Sequence, residues 1–136
     1  MAKGSEQDEP EIRRLIEDWA AAVRAHKMGD VTARHTEDVV MFDVPPPVVV
    51  RGLAAYRETW PPFFNWLKRE DGAFEIAELE ITSGNTVAFA TALLRCGSKS
   101  DLAEDDTPRL RLTIGLRKID GAWKIAHEHH SFPAES

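Results

Sequence analysis

The sequence lacks several features that would assign it to a particular class of protein. It contains a single cysteine, Cys96, among its 136 residues, which excludes an internal disulfide and a zinc site built from cysteines. No stretch approaches the roughly 20 apolar residues that a membrane-spanning helix needs. The first residues hold no apolar segment of the signal-peptide type. These absences predict a cytoplasmic protein without a membrane partner.

Basic residues are also fewer than acidic residues. Lys and Arg number 17 against 23 Asp and Glu, and the formal net charge is -6. Binding to a phosphate backbone requires Lys and Arg clustered on one face. Neither a GxGxxG motif nor a phosphate-binding loop occurs in the sequence. We therefore expect no nucleic-acid partner and no cofactor.

The length supports one packed domain. We predict a disordered N-terminus over residues 1–8 and a single domain over residues 9–133. Apolar residues at helical spacing indicate a first helix that is capped by Asp8 or Glu9 and ends at Gly29. A short second helix is expected over 31–36. A third helix starts near Leu53 and must end or kink at the Pro61–Pro62 pair.

Strand patterns follow the helices. An apolar run over 39–44 ends at three prolines, and from residue 74 onward the period changes to two. The predicted strands cover 74–82, 86–95, 110–117 and 123–131, and Asp120-Gly121 is a hairpin signal. Helices followed by an antiparallel meander indicate the α+β class. Since three short helices leave one face of such a sheet uncovered, we predict a homodimer through the sheet.

Three local patterns carry a resemblance to a known family. They are EDVVMFD at 37–43, the prolines at 45–47 followed by Arg51-Gly52, and DGAWKIAHEHHSFP at 120–133. In this order they resemble SnoaL-like and DUF4440-type members of the NTF2-like (ketosteroid isomerase-like) superfamily. The resemblance implies a cone-shaped fold, in which a curved antiparallel sheet wraps around three N-terminal helices. It also implies a small-molecule cavity inside the cone.

The last strand supplies the first candidate catalytic residues. Strict alternation places Trp123, Ile125, His127 and His129 on one face, which must look into the cone. Because histidine titrates near neutrality, His129 is the first candidate for proton transfer, with His127 orienting it or binding a substrate oxygen. Two alternatives remain open: the histidines are buried hydrogen-bonding residues, or they bind a metal together with Asp43.

Asp43 is the other candidate catalytic residue. It interrupts an apolar run, so its carboxylate needs either a partner or a wet cavity. The resemblance places it at the position of the ketosteroid isomerase catalytic aspartate. The alternative is a structural carboxylate that accepts hydrogen bonds from backbone N–H groups of the proline turn or pairs with Arg51.

Six further residues are candidates for substrate binding. Tyr56 and Trp60 lie one helical turn apart and would line one wall. Arg95 either binds an anionic group or pairs with acids of the loop that follows. The remaining candidates are Trp19, Phe64 and Thr113. Ketosteroid isomerases have a tyrosine where this chain has Trp19 and an acid in the strand region that here carries Thr113, so steroid isomerisation by that mechanism is not expected.

These residues lead to three functional hypotheses. The first is a cofactor-independent acid/base enzyme, of the isomerase, dehydratase or cyclase type, acting on a small, apolar, oxygenated metabolite. The second is a non-catalytic domain of the same fold that binds a small molecule or dimerises. The third is a metal site at the His-x-His pair.

Overall fold

The structure, a computed structural model, describes residues 7–134. The helices are α1 (Asp8–Arg24), α2 (Met28–Thr32), α3 (Leu53–Glu58), α4 (Trp60–Trp66) and α5 (Lys99–Glu104). The strands are β1 (His35–Phe42), β2 (Val50–Arg51), β3 (Gly72–Ser83), β4 (Val87–Ser98), β5 (Leu110–Ile119) and β6 (Ala122–Ser131). Helices combined with one mainly antiparallel sheet confirm the predicted α+β class.

Helix α1 begins earlier and ends earlier than its apolar pattern predicts. Of the segment expected to be disordered, residues 1–6 lie outside the described residues, but for Asp8 the prediction is wrong. Asp8 is 2% exposed, and its carboxylate accepts hydrogen bonds from the indole N–H of Trp123 at 3.0 Å and from the Lys118 ammonium at 2.9 Å. The helix ends at Arg24 and not at Gly29, because His26 adopts a left-handed φ of 58°.

The following helices are also shifted from their predicted positions. Helix α2 starts at Met28, three residues before the predicted position, and β1 is already extended from His35. The proline pair acts as expected: α3 stops at Glu58, and the prolines occupy the first turn of α4, where a missing N–H costs nothing. The stretch predicted as a loop between β4 and β5 contains α5.

The six strands form one sheet in the order β2-β1-β6-β5-β4-β3. Neighbouring strands are antiparallel except β1 and β6, which pair in parallel. The predicted antiparallel meander is therefore confirmed for β3, β4, β5 and β6, and β1 joins it in parallel. The predicted hairpin between β5 and β6 is confirmed, with positive φ values of 51° at Asp120 and 82° at Gly121.

The core lies between the helices and the inner face of the sheet. Strand β5 alternates as predicted, with Leu110, Leu112, Ile114 and Leu116 all buried. Apolar residues of α1, including Ile12 and Ile16, are fully buried, and α1 packs on β3. Within residues 7–134, no helix has both the length and the apolar character that a membrane crossing requires.

Candidate active site

A β-bulge in β6 decides which side chains face the interior. The hairpin pairs Leu116 with Ile125, but the next pair is Gly115 with His127, so Ala126 is an extra residue on β6. An extra residue in one strand interrupts the alternation of its side chains. Beyond Ala126, Glu128 is fully buried, whereas His129 is exposed.

The predicted inward orientation of His127 and His129 is therefore wrong. His127 is half-buried, and its Nδ1 lies 2.7 Å from the carbonyl oxygen of Val40. Both imidazoles contact the half-exposed ring of Phe42 edge-on, with centroid distances of 5.1 and 5.4 Å. The two rings lie on the outer face of the sheet. Among residues 7–134, no group of three or more metal-ligating side chains is placed to hold a metal ion, so the predicted His-x-His and Asp43 set does not come together.

The inward-facing residues build a buried polar network around Glu128. Its Oε1 lies 2.8 Å from Nε2 of His130. Its Oε2 lies 2.5 Å from Nε2 of His35 and accepts a hydrogen bond from the Tyr56 hydroxyl at 2.8 Å. The indole N–H of Trp19 donates in turn to the Tyr56 oxygen at 3.1 Å. Thus the two oxygens of one buried carboxylate hold together β6, β1 and α3.

Glu128 is held in its charged form. Burial by itself raises the pKa of a carboxyl group, but hydrogen bonds from His130 and His35 and the attraction of their rings outweigh it and lower the pKa of Glu128 to about 2. An ionised carboxylate can only accept hydrogen bonds, so both imidazoles carry a hydrogen on Nε2.

Tyr56 stays protonated in this environment. Burial raises the pKa of its phenol well above the ordinary value of 10, and the negative charge of Glu128 and the hydrogen bond to it raise the pKa further. Tyr56 and Trp19, both predicted to bind substrate, are almost completely buried and contribute to the network instead. Neither lines the cavity described below.

The two imidazoles of the network differ in access. Nδ1 of His35 is fully buried and has no hydrogen-bond partner among residues 7–134. His130 borders an open cavity. Since its Nε2 is committed to Glu128, Nδ1 is the nitrogen through which His130 can exchange a proton. Of the two rings, only His130 is thus placed both beside a carboxylate that orients it and beside space for a ligand.

The cavity has a volume of about 310 Å³, at the lower end of the roughly 300–1,000 Å³ found for ligand pockets. His130 is almost completely buried, whereas Trp66 and Phe132 are 61% and 41% exposed. The exposed rings therefore mark the mouth, and His130 marks the inner end. The polar side chains on the wall belong to Asp43, Thr59 and His130.

Asp43 lines this cavity, as predicted. It follows β1 directly and is half-buried, and its Oδ1 accepts a hydrogen bond from the N–H of Val44 at 2.8 Å. This bond is the backbone contact foreseen as the alternative role. The other foreseen partner, Arg51, makes no ion pair with it: no ion pair to Asp43 occurs among residues 7–134.

The other predicted substrate-binding residues divide between cavity and surface. Trp60 lines the cavity. Phe64 stacks on His26 at a centroid distance of 4.3 Å and is absent from the cavity wall. Arg95 and Thr113 lie on the outer face of the sheet, where the Arg95 Nε donates to the carbonyl oxygen of Asp106 at 2.7 Å and Thr113 is exposed. Neither Arg95 nor Thr113 lines the cavity, and their contact with a substrate stays a prediction.

Sequence reasoning missed three residues of this site, namely Glu128, His130 and His35. The first two stand in the same HEHH segment as the predicted pair, and alternation assigns them to the opposite face. No local signal marks the bulge, because both faces of the segment carry polar residues. A buried carboxylate needs partners. A search for a partner of Glu128, such as the histidine at the start of β1, is the one signal that could have found this network.

A curved sheet that holds helices on one face, with a cavity between them, is the architecture of an NTF2-like α+β domain. The chain belongs to the SnoaL-like domain family, whose model matches residues 12–135. The resemblance seen in the sequence is thereby confirmed at the level of this family and its superfamily. The likeness to DUF4440-type members stays a prediction. No curated protein matches the sequence.

Solved structures agree with this assignment. An NTF2-like protein from Pseudomonas putida KT2440 is 32% identical, with a TM-score of 0.85, over 97% of this chain and 91% of that chain. A protein with a cystatin-like fold from Nostoc punctiforme PCC 73102 is 15% identical, with a TM-score of 0.79, over 98% and 96%. A ketosteroid isomerase-like protein from Erwinia carotovora atroseptica SCRI1043 is 19% identical, with a TM-score of 0.71, over 96% and 100%. The last two show likeness of fold alone.

Proposed function

We propose that this protein is a cofactor-independent acid/base enzyme of the isomerase, dehydratase or cyclase type, acting on a small, apolar, oxygenated molecule. One observation carries the proposal: an imidazole held by a buried, ionised carboxylate borders an apolar cavity that a second carboxylate also lines. Such a pair of groups suits proton transfer at two points of one ligand.

In the proposed mechanism, His130 takes a proton from the ligand through Nδ1. Glu128 fixes the ring by its 2.8 Å contact to Nε2 and stabilises the positive charge that the ring gains. The imidazolium then returns its proton to the ligand. Asp43, on the wall of the same cavity, takes a second proton from the ligand and gives it back, so both groups end the cycle as they began. His129 and His127, the first candidates from the sequence, have no part in this mechanism because they face away from the cavity.

The test is deuterium exchange at the acidic carbon positions of 2-tetralone, a neutral two-ring ketone, followed by NMR in D₂O. We expect exchange at least about a hundredfold faster than in buffer of equal pH, as is typical of a positioned acid/base group. His130→Asn should lose most of this rate, while His129→Asn, a matched change on the exposed face, should keep it. Exchange at the buffer rate, or an equal loss in both variants, would contradict the proposal.

A second function, binding of a small molecule without catalysis, is favoured by the backbone contact of Asp43. Its Oδ1 is already occupied by the N–H of Val44, as expected of a structural carboxylate. This function predicts that the same ketone binds, by calorimetry, but does not exchange. The exchange experiment therefore separates the two.

We also propose that the protein forms a homodimer through the outer face of the sheet. Three large apolar side chains on this face are exposed, Val87 at 60%, Phe89 at 52% and Phe42 at 39%. Glu78, Glu80 and Arg111 lie on the same face, so a second copy offers both apolar contact and opposite charges. Light scattering should give a dimer that Phe89→Glu dissociates. Val48→Glu, at a 93% exposed residue outside the strands, should leave it intact. A monomeric wild-type protein would end this proposal.

A further inference from the structure

The wall of the cavity carries an acidic side chain and no Lys or Arg. Asp43 has no ion-pair partner among residues 7–134, and Glu128 behind His130 is ionised. The cavity therefore holds one unpaired negative charge at its wall and a second, hydrogen-bonded one behind its inner end.

The rest of the wall is aromatic and aliphatic. The rings belong to Trp60, Phe63, Trp66, Phe74 and Phe132. Phe63 connects them, with centroid distances of 5.4 Å to Trp60, 5.7 Å to Trp66 and 5.9 Å to Phe74. Aromatic rings attract cations through the negative potential of their faces, and Trp is the strongest of them.

The negative charge and the aromatic rings both favour a cationic ligand. A carboxylate acts more strongly on a charge in a cavity walled by apolar groups than in water, because the effective dielectric constant is lower. An anionic ligand entering here meets repulsion from Asp43 and finds no cationic group to pair with. A protonated amine meets the Asp43 carboxylate and the aromatic rings on the same wall.

From this we infer that the ligand of this cavity is an amine, protonated at neutral pH and attached to an apolar ring system, with its ammonium group beside Asp43. The inference deepens the proposed function, because it concerns the substrate of the same cavity. It assigns Asp43 a role in selecting charge, in addition to its role in proton transfer. The apolar ring system would lie against Trp60 and Phe63, with its reactive end toward His130.

The experiment compares three probes that share one ring system and differ in charge. They are 2-naphthylmethylamine, 2-naphthalenemethanol and 2-naphthoate, titrated into the wild-type protein by calorimetry. We expect the amine to bind at least about tenfold more tightly than the neutral alcohol, and the naphthoate to bind most weakly. Asp43→Asn should reduce the affinity for the amine to that for the alcohol. Asp30→Asn, which removes the same charge at an exposed position, should leave the preference unchanged.

Several outcomes would overturn the inference. These are an alcohol or naphthoate that binds as tightly as the amine, an amine that does not bind, and a preference that survives Asp43→Asn. Its failure is distinct from failure of the proposed catalysis, because His130→Asn should keep the preference for the amine while losing deuterium exchange. A protein that prefers the amine but exchanges nothing keeps this inference and loses the proposed enzyme.

Discussion

His130 and Glu128 are two residues apart on β6 and face the same side of the sheet, with Nε2 of the imidazole 2.8 Å from Oε1 of the carboxylate. The carboxylate is sealed from solvent, and the imidazole borders the cavity. A single strand thus supplies both a group that can exchange a proton with a ligand and the fixed charge that orients it.

Replacing Glu128 by glutamine should make the free energy of unfolding depend less on pH in acid than it does in the wild-type protein. The pKa of this carboxyl falls from an ordinary 4.5 in the unfolded chain to about 2 in the folded protein, so its contribution to stability is complete above pH 4.5 and is lost as the pH falls toward 2. The difference corresponds to about 3 kcal/mol. Urea unfolding of wild type and Glu128→Gln between pH 7 and pH 2 measures it.

For that measurement, the matched control is Glu17→Gln, at an exposed glutamate of α1. It should follow the wild-type curve within about 0.5 kcal/mol. Parallel curves for wild type and Glu128→Gln would show that the folded protein does not stabilise the charge of Glu128.

Removing the hydroxyl of Tyr56 should weaken the network without changing the packing of the ring. Tyr56→Phe deletes the 2.8 Å hydrogen bond to Glu128 and the acceptor of the Trp19 N–H. Hydrogen bonds to a charged group contribute about 1.5–3 kcal/mol, so we expect a loss of this size in the free energy of unfolding. In the Glu128→Gln background the same change should cost less, and strict additivity of the two changes would argue against a direct coupling.

Chemical modification of the histidines tests the orientation of β6. Diethyl pyrocarbonate reacts with accessible imidazoles, and the sites can be followed by peptide mass spectrometry over time. His129 is exposed, whereas the His35 side chain is 1% exposed and bonded to Glu128. In the Phe89→Glu variant, which keeps the outer face free of a second copy, we expect His129 to be modified at least about tenfold faster than His35. Equal rates, or faster modification of His35, would contradict the orientation that the bulge at Ala126 gives to His129.

Asp8 should be a key contact of the N-terminal helix. Its carboxylate accepts hydrogen bonds from Trp123 and Lys118, and replacing it by alanine leaves the buried indole N–H of Trp123 without this acceptor. We expect Asp8→Ala to lower the free energy of unfolding by about 2–4 kcal/mol. Glu9→Ala, one residue away and paired only at the surface with Arg13 at 3.5 Å, should change it by less than about 0.5 kcal/mol. Equal effects would contradict the assigned role of Asp8.

Much of the fold could be predicted because its signals are local. The apolar stripe of α1, the alternation in β5, the break at Pro61–Pro62 and the hairpin at Asp120-Gly121 each depend on residues within a few positions of one another. Asp43 and Trp60 were correctly assigned to the cavity wall, the first through a carboxylate in an apolar run and the second through its place in an aromatic helix. Their positions required no long-range contact to be known.

The side of β6 that faces the cavity could not be predicted in this way. Sequence by itself determined that this strand carries titratable side chains on both of its faces, since each of the four HEHH positions holds one. Only the tertiary structure decided that Glu128 and His130 turn inward, because the extra residue at Ala126 changes the alternation and lets the Glu128 carboxylate meet His35 from β1 and Tyr56 from α3. The physical reason is the cost of burying charge. Glu128 is stable inside only where donors from three separate elements converge on it, and such convergence is a property of the folded chain, not of any local segment.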